Sequence, residues 1–138
     1  MNDDELRQAL SILDVYKAQL DAMANQAQIL QMSLEEVLRA RETMRALINS
    51  KEGDDILIPV GASSFVAAKA LGNGKAIVGI GSRMSVEKGL EDAVKYLDGN
   101  VNEITEALRK AGESITETET NARNLSLAVQ QEYQRRQQ

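Results

Sequence analysis

Two long stretches of the chain carry apolar residues alternately three and four positions apart, and this spacing restricts the possible folds more than any other feature. In the first stretch the series is Leu6, Ala9, Leu13, Tyr16, Leu20, Met23, Ala27, Leu30, Leu34, Val37, Arg41, Met44 and Ile48, all apolar or Tyr except Arg41. A 3.5-residue repeat sustained over six heptads predicts a left-handed coiled-coil seam. A straight helix would rotate such a stripe off its partner by about 20° per heptad. The second stretch repeats the pattern with Leu90, Val94, Leu97, Val101, Ile104, Leu108, Ala111, Ile115, Thr118, Ala122, Leu125 and Val129, and ends at Glu132. The two seams match in length, so folding the chain at its middle sets Ile48 opposite Leu90, Leu34 opposite Ile104, Ala27 opposite Ala111 and Leu6 opposite Glu132. Arg41 is expected to snorkel to a carboxylate on the neighbouring helix.

Asp98-Gly99-Asn100 resembles a turn, and Gly costs a helix interior about 1 kcal/mol relative to Ala. Leu97, Val101 and Ile104 nevertheless keep phase across it with Gly99 facing outward, which predicts one continuous helix. Outward positions between Ser114 and Asn124 are rich in Thr, Ser and Asn, and the Ala27–Ala111 pairing is thin, so mobility is expected to rise toward the free ends.

Between the seams the composition changes: the lone Pro59 and a concentration of Gly punctuate this segment. Ile56-Leu57-Ile58-Pro59-Val60, Ser64 to Lys69, Ala76 to Ile80 and Arg83 to Val86 read as four short strands. The turns fall at Gly61-Ala62-Ser63, Gly72-Asn73-Gly74-Lys75 and Gly81-Ser82, giving two β-hairpins in tandem. Isolated hairpins are marginal in water, and their unpaired edges invite pairing, so this segment is expected to be an oligomerisation hub. The predicted fold is α+β and mostly α: a long antiparallel two-helix coiled coil whose helices are joined by two tandem β-hairpins. Residues 1–138 form a single domain in this reading, with one helix over 1–52, the hairpins over 53–84 and the second helix over 85–138.

Composition narrows the chemistry. With no Cys and no His, disulfides, Cys/His metal sites and imidazole catalysis are excluded. A formal charge of −5, with basic residues scattered among acids, opposes nucleic-acid binding. The acidic start Asn2-Asp3-Asp4-Glu5 is unlike a signal peptide, and no run approaches the roughly 20 apolar residues of a membrane span. A soluble cytoplasmic protein is expected. Gly79-Ile80-Gly81 fails as a dinucleotide fingerprint because its third Gly would fall at Met84. Gly74-Lys75 fails as a phosphate loop because Lys69 stands at the first Gly and Ala76 at the Ser/Thr. Glu35, Glu36, Glu87 and Glu91 read as a solvated helix face, and Met23 and Met44 as seam. Neither a catalytic residue nor a metal or cofactor site is predicted, and the chain is not expected to be an enzyme.

Leu10, Ile12 and Leu127 lie outside the seam near the free ends, where Val129 and Tyr133 occupy the last turns. Such residues suit a surface that grips other proteins. They equally suit an ordinary frayed coiled-coil end, since Val15, Ile29, Leu38 and Leu47 are also off the seam. Both readings stay open.

Ile56 to Ala68, then Ala76-Ile77-Val78-Gly79-Ile80-Gly81, then Glu87-Lys88-Gly89-Leu90-Glu91-Asp92-Ala93 resemble the α subunits of archaeal prefoldins, over nearly the whole chain. The resemblance implies an ATP-independent holdase assembled from two α and four β subunits. Their hairpins would form a β-barrel platform, and the coiled-coil tips would hold unfolded proteins for transfer to a group II chaperonin. Carried over by position, the tip residues are Leu6, Leu10, Ile12, Leu13, Leu125, Leu127, Val129 and Tyr133. The platform residues are Ile56, Ile58, Phe65, Val66, Ile77, Val78 and Ile80. A passive structural spacer would have the same fold and differ only in whether the tips bind non-native chains.

Overall fold

The computed structural model describes residues 1–138. Its elements run α1 (Asp3–Ile48), β1 (Asp55–Gly61), β2 (Ser64–Lys69), β3 (Lys75–Gly81), β4 (Met84–Gly89) and α2 (Leu90–Arg136). They divide into two compact units, one of Met1–Ser33 with Ile104–Gln138, the other of Leu34–Glu103.

The first unit pairs the start of α1 with the end of α2. Asn2 caps α1 reciprocally: its Oδ1 accepts from the Glu5 backbone N–H at 2.8 Å, and its Nδ2 donates to Glu5 Oε1 at 3.3 Å. One otherwise unpaired backbone donor at the helix start is thereby satisfied, and the second bond holds the two side chains together. Asp3, Asp4 and Glu5 in the first turn of α1, and Arg135 and Arg136 in the last turn of α2, match the helix dipoles. Leu6, Ala9 and Val129 are buried in one apolar cluster with Leu13 and Leu125 against it, in the register expected from the seam. Every seam position of both helices is buried or half-buried, whereas Leu10, Ile12, Val15 and Ile29 are exposed. The outermost turns are closed over a buried core.

In the second unit Leu90, Ala93, Val94 and Leu97 are buried, Ala93 completely at 0% exposure. Arg41 Nη1 donates to Asp98 Oδ1 at 3.0 Å, as its seam position predicted, and Arg45 Nη2 reaches the same oxygen at 3.4 Å. The helix is unbroken through Asp98-Gly99-Asn100. Gly99 is exposed and nothing lies within 4 Å of where a Cβ would stand. Gly99→Ala is therefore expected to stabilise the fold by about 1 kcal/mol, read as a higher unfolding midpoint in urea.

The two hairpins have the same construction. β1 pairs antiparallel with β2 from Asp55↔Lys69 to Gly61↔Ser64, and β3 with β4 from Lys75↔Gly89 to Gly81↔Met84. Each shifts register just before its turn, between Pro59 and Gly61 or between Gly79 and Gly81. The two-residue turns, Ala62-Ser63 and Ser82-Arg83, have positive φ at all four positions, as in the I′ turns that match strand twist.

β4 runs to Gly89, not to Val86 as the sequence suggested, and Glu87-Lys88 belong to the strand instead of opening the helix. The longer strand follows from β3, whose residues Lys75, Ala76 and Ile77 pair with Gly89, Lys88 and Glu87. Leu90 N–H then donates to Gly74 O at 2.8 Å, and α2 begins there. The sheets are separate two-stranded pairs with no ladder between β2 and β3, so each retains unpaired edges.

Candidate interaction surfaces

Strand alternation gives the β1–β2 pair two different faces. Ile56, Ile58 and Ala68 are half-buried, while Leu57, Pro59 and Phe65 on the opposite face are exposed. Of the seven residues expected to build a platform, Phe65, Val66, Ile77 and Ile80 are exposed, Ile56 and Ile58 are half-buried, and Val78 is buried. Phe65 is 61% and Ile77 74% exposed. Val78 thus serves the interior of its own unit. Leu57, Val60, Leu71 and Met84 are further exposed apolar side chains of this segment. Leu57 was detectable from its one-residue offset from Ile56 and Ile58, which places it on the other face of the strand. A cleft of about 890 Å³ runs between α1 and the hairpins of this unit, lined by Met44, Leu47, Ile58, Phe65, Ile77 and Leu90 among others.

The terminal end of the coiled coil separates the eight expected tip residues into two sets. Leu6 and Val129 are buried, and Leu13 and Leu125 half-buried, within the seam. Leu10, Ile12, Leu127 and Tyr133 are exposed. Beside the seam sits a charge network that the periodicity did not reveal, centred on Glu132, a buried carboxylate at a seam position. Hydrogen bonds from the Arg135 and Arg136 guanidiniums, opposed by some desolvation, hold this carboxyl down at about 2. A carboxyl held below its usual 4.5 stabilises the fold fully above that pH, and the contribution fades as pH falls toward 2. The available sequence signal was a charged residue ending an apolar heptad with two arginines three and four positions on.

No group of three or more Asp or Glu residues is arranged to hold a metal ion, and no buried side-chain polar atom lacks a partner. No helix is long and apolar enough to cross a membrane. An antiparallel coiled coil carrying two hairpins with unpaired edges and uncovered apolar side chains defines a class of coiled-coil subunits fitted for assembly. The prefoldin subunit family model matches residues 16–135. The chain is 29% identical over 135 residues to prefoldin subunit alpha of Pyrococcus horikoshii, covering 97% of this chain and 91% of that protein. It is 32% identical over 113 residues to prefoldin subunit alpha of Methanococcus aeolicus, covering 82% of this chain and 74% of that one. Its fold matches the cryo-EM structure of filamentous PFD from Methanocaldococcus jannaschii with a TM-score of 0.67 at 22% identity, over 88% of this chain and 98% of that one. The chain belongs to the prefoldin family of molecular-chaperone subunits, and its relatives there include archaeal α subunits.

Proposed function

We propose that this chain acts as an ATP-independent holdase subunit of the cytoplasm, with residues 1–138 working as one domain. Its hairpins join those of β-type partners in a platform of two α and four β subunits. The coiled-coil ends bind non-native chains and release them to a group II chaperonin. The observation that carries this reading is the exposure of Leu10, Ile12, Leu127 and Tyr133 on one coiled-coil end, outside a seam that is already filled. Several such ends, each binding weakly, give useful avidity while every contact stays reversible. Relatives described as prefoldin subunit alpha support the same assignment.

Light scattering from an aggregating denatured protein tests it, with the chain assembled with a β-type partner and no ATP. Changing Leu10, Ile12, Leu127 and Tyr133 together to Ser removes apolar surface without emptying the seam, so assembly should persist while protection against aggregation falls severalfold. Unchanged protection would assign the gripping to the partner subunit. An intact complex that fails to protect would favour the structural-spacer reading.

A further inference from the structure

The terminal end is closed by charge as well as by apolar contact. A heptad seam calls for an apolar residue at its last position, and this one has Glu132, only 7% exposed. Glu132 Oε1 accepts from Arg135 Nη2 at 2.6 Å and from Arg136 Nε at 3.0 Å, and Oε2 accepts from Arg135 Nε at 3.1 Å. These bonds stay within α2 and gather the charges at one place. The crossing is made by Arg136, whose Nη1 donates to Asp3 Oδ1 on α1 at 2.6 Å and whose Nη2 donates to the Met1 carbonyl at 3.1 Å. The Met1 ammonium also reaches Glu132 Oε2 at 3.3 Å. The Met1 ammonium, just ahead of α1, and Arg135 and Arg136 from α2 pair with this carboxylate, and Asp3 from α1 joins them through Arg136.

One turn before Glu132 on α2, Val129 packs with Leu6 and Ala9. Ala9 is small, so the apolar contribution at this level is thin, since hydrophobic stabilisation scales with the apolar area covered. Ion pairs with exposed members are screened by salt, whereas apolar contact is not. The closure of this end therefore depends on charge that solution conditions or a charged partner can weaken. In the other unit Arg41 and Arg45 also pair with Asp98, but Leu90, Ala93, Val94 and Leu97 are buried beside them.

We propose that Asp3, Glu132 and Arg136 form an electrostatic latch that holds the coiled-coil end shut over Leu6, Ala9 and Val129, and that its release presents this buried seam to a non-native chain. The role of the exposed seam rests on the holdase reading, but the latch itself can be measured without any client. Spin labels on Ser11→Cys and Gln134→Cys, both exposed, report the separation of the helices at this end. A second pair at Glu42→Cys and Lys95→Cys reports the other unit. The chain has no cysteine of its own, so the full-length chain assembled with a β-type partner lacking cysteine can be labelled selectively.

Glu132→Gln should lengthen and broaden the Ser11–Gln134 distances and leave the Glu42–Lys95 distances unchanged. Raising salt from about 0.05 to about 0.5 M, which also screens Arg41 and Arg45 against Asp98, should lengthen the Ser11–Gln134 distances by more than the Glu42–Lys95 distances. Glu132→Leu completes the apolar seam, and should keep the end closed at both salt concentrations. Capture of a denatured client should rise by about twofold or more in Glu132→Gln, as the open population grows, and fall in Glu132→Leu. Ser11–Gln134 distances that do not respond to Glu132→Gln or to salt would overturn the latch. An end that opens without any gain in capture would overturn its gating role, and would leave the holdase reading to the separate test on Leu10, Ile12, Leu127 and Tyr133.

Discussion

Replacing Gly72 by Ala is expected to destabilise the hairpin-bearing unit by about 2–4 kcal/mol, the largest effect among the chain's glycines. Gly72 has φ +69°, in the left-handed region, and a Cβ there would lie 2.3 Å from Glu52 N and 2.8 Å from Glu52 Cα. The first factor costs about 1–2 kcal/mol by itself. The second cannot be relieved by turning a side chain, because both obstructing atoms are backbone. The neighbouring backbone is already committed: Gly53 N–H donates to Ala70 O and Ala70 N–H to Asp54 O, each at 2.9 Å. Gly74→Ala provides the control, since Gly74 has a similar φ of +66° with nothing within 4 Å. Urea unfolding of both variants should place Gly72→Ala well below Gly74→Ala. Equal midpoints would mean that the loop between the hairpins is not held against Glu52.

A second large effect concerns assembly. Ile77 and Phe65 are mostly exposed in the isolated chain, so Ile77→Asp and Phe65→Asp should leave its helicity by circular dichroism almost unchanged. If partner hairpins cover these positions, each aspartate is buried without a counter-charge. Association should then weaken by about 100-fold or more, because every 1.4 kcal/mol is a factor of ten. Size-exclusion chromatography with light scattering, on each variant mixed with a β-type partner, reads this directly. Assembly that survives both substitutions would remove the hairpins from the interface and leave the hub proposal without support.

The helices were legible because a coiled coil is a nearly one-dimensional object. Its neighbours follow from a single period, and Arg41 could be assigned a carboxylate partner before Asp98 was seen to supply it at 3.0 Å. The hairpins were legible from their turns, but the end of β4 was not. Glu87, Lys88 and Gly89 have no strand propensity to announce them, and they are extended because β3 offers them a ladder.

The tips and the hairpins show where such reasoning stops. The family resemblance placed eight residues at the tips; of these Leu6 and Val129 are buried in the seam while Leu10 and Leu127 are exposed. Helical phase already separates these two sets, since Leu6, Leu13, Leu125 and Val129 are seam positions and Leu10, Ile12 and Leu127 are not. Val78 and Ile77 are adjacent in one strand, and only the packed unit shows the first at 4% exposure and the second at 74%.

The sequence by itself determined the antiparallel coiled coil, its register and the tandem hairpins, because these depend on local periodicity, turn chemistry and equal seam lengths. Only the tertiary structure decided the contact of Gly72 with Glu52, the burial of Val78 and the meeting of Asp3 with Arg136. Each of these depends on groups distant in the chain coming within a few ångströms, and close approach in space is not encoded in any repeat along it.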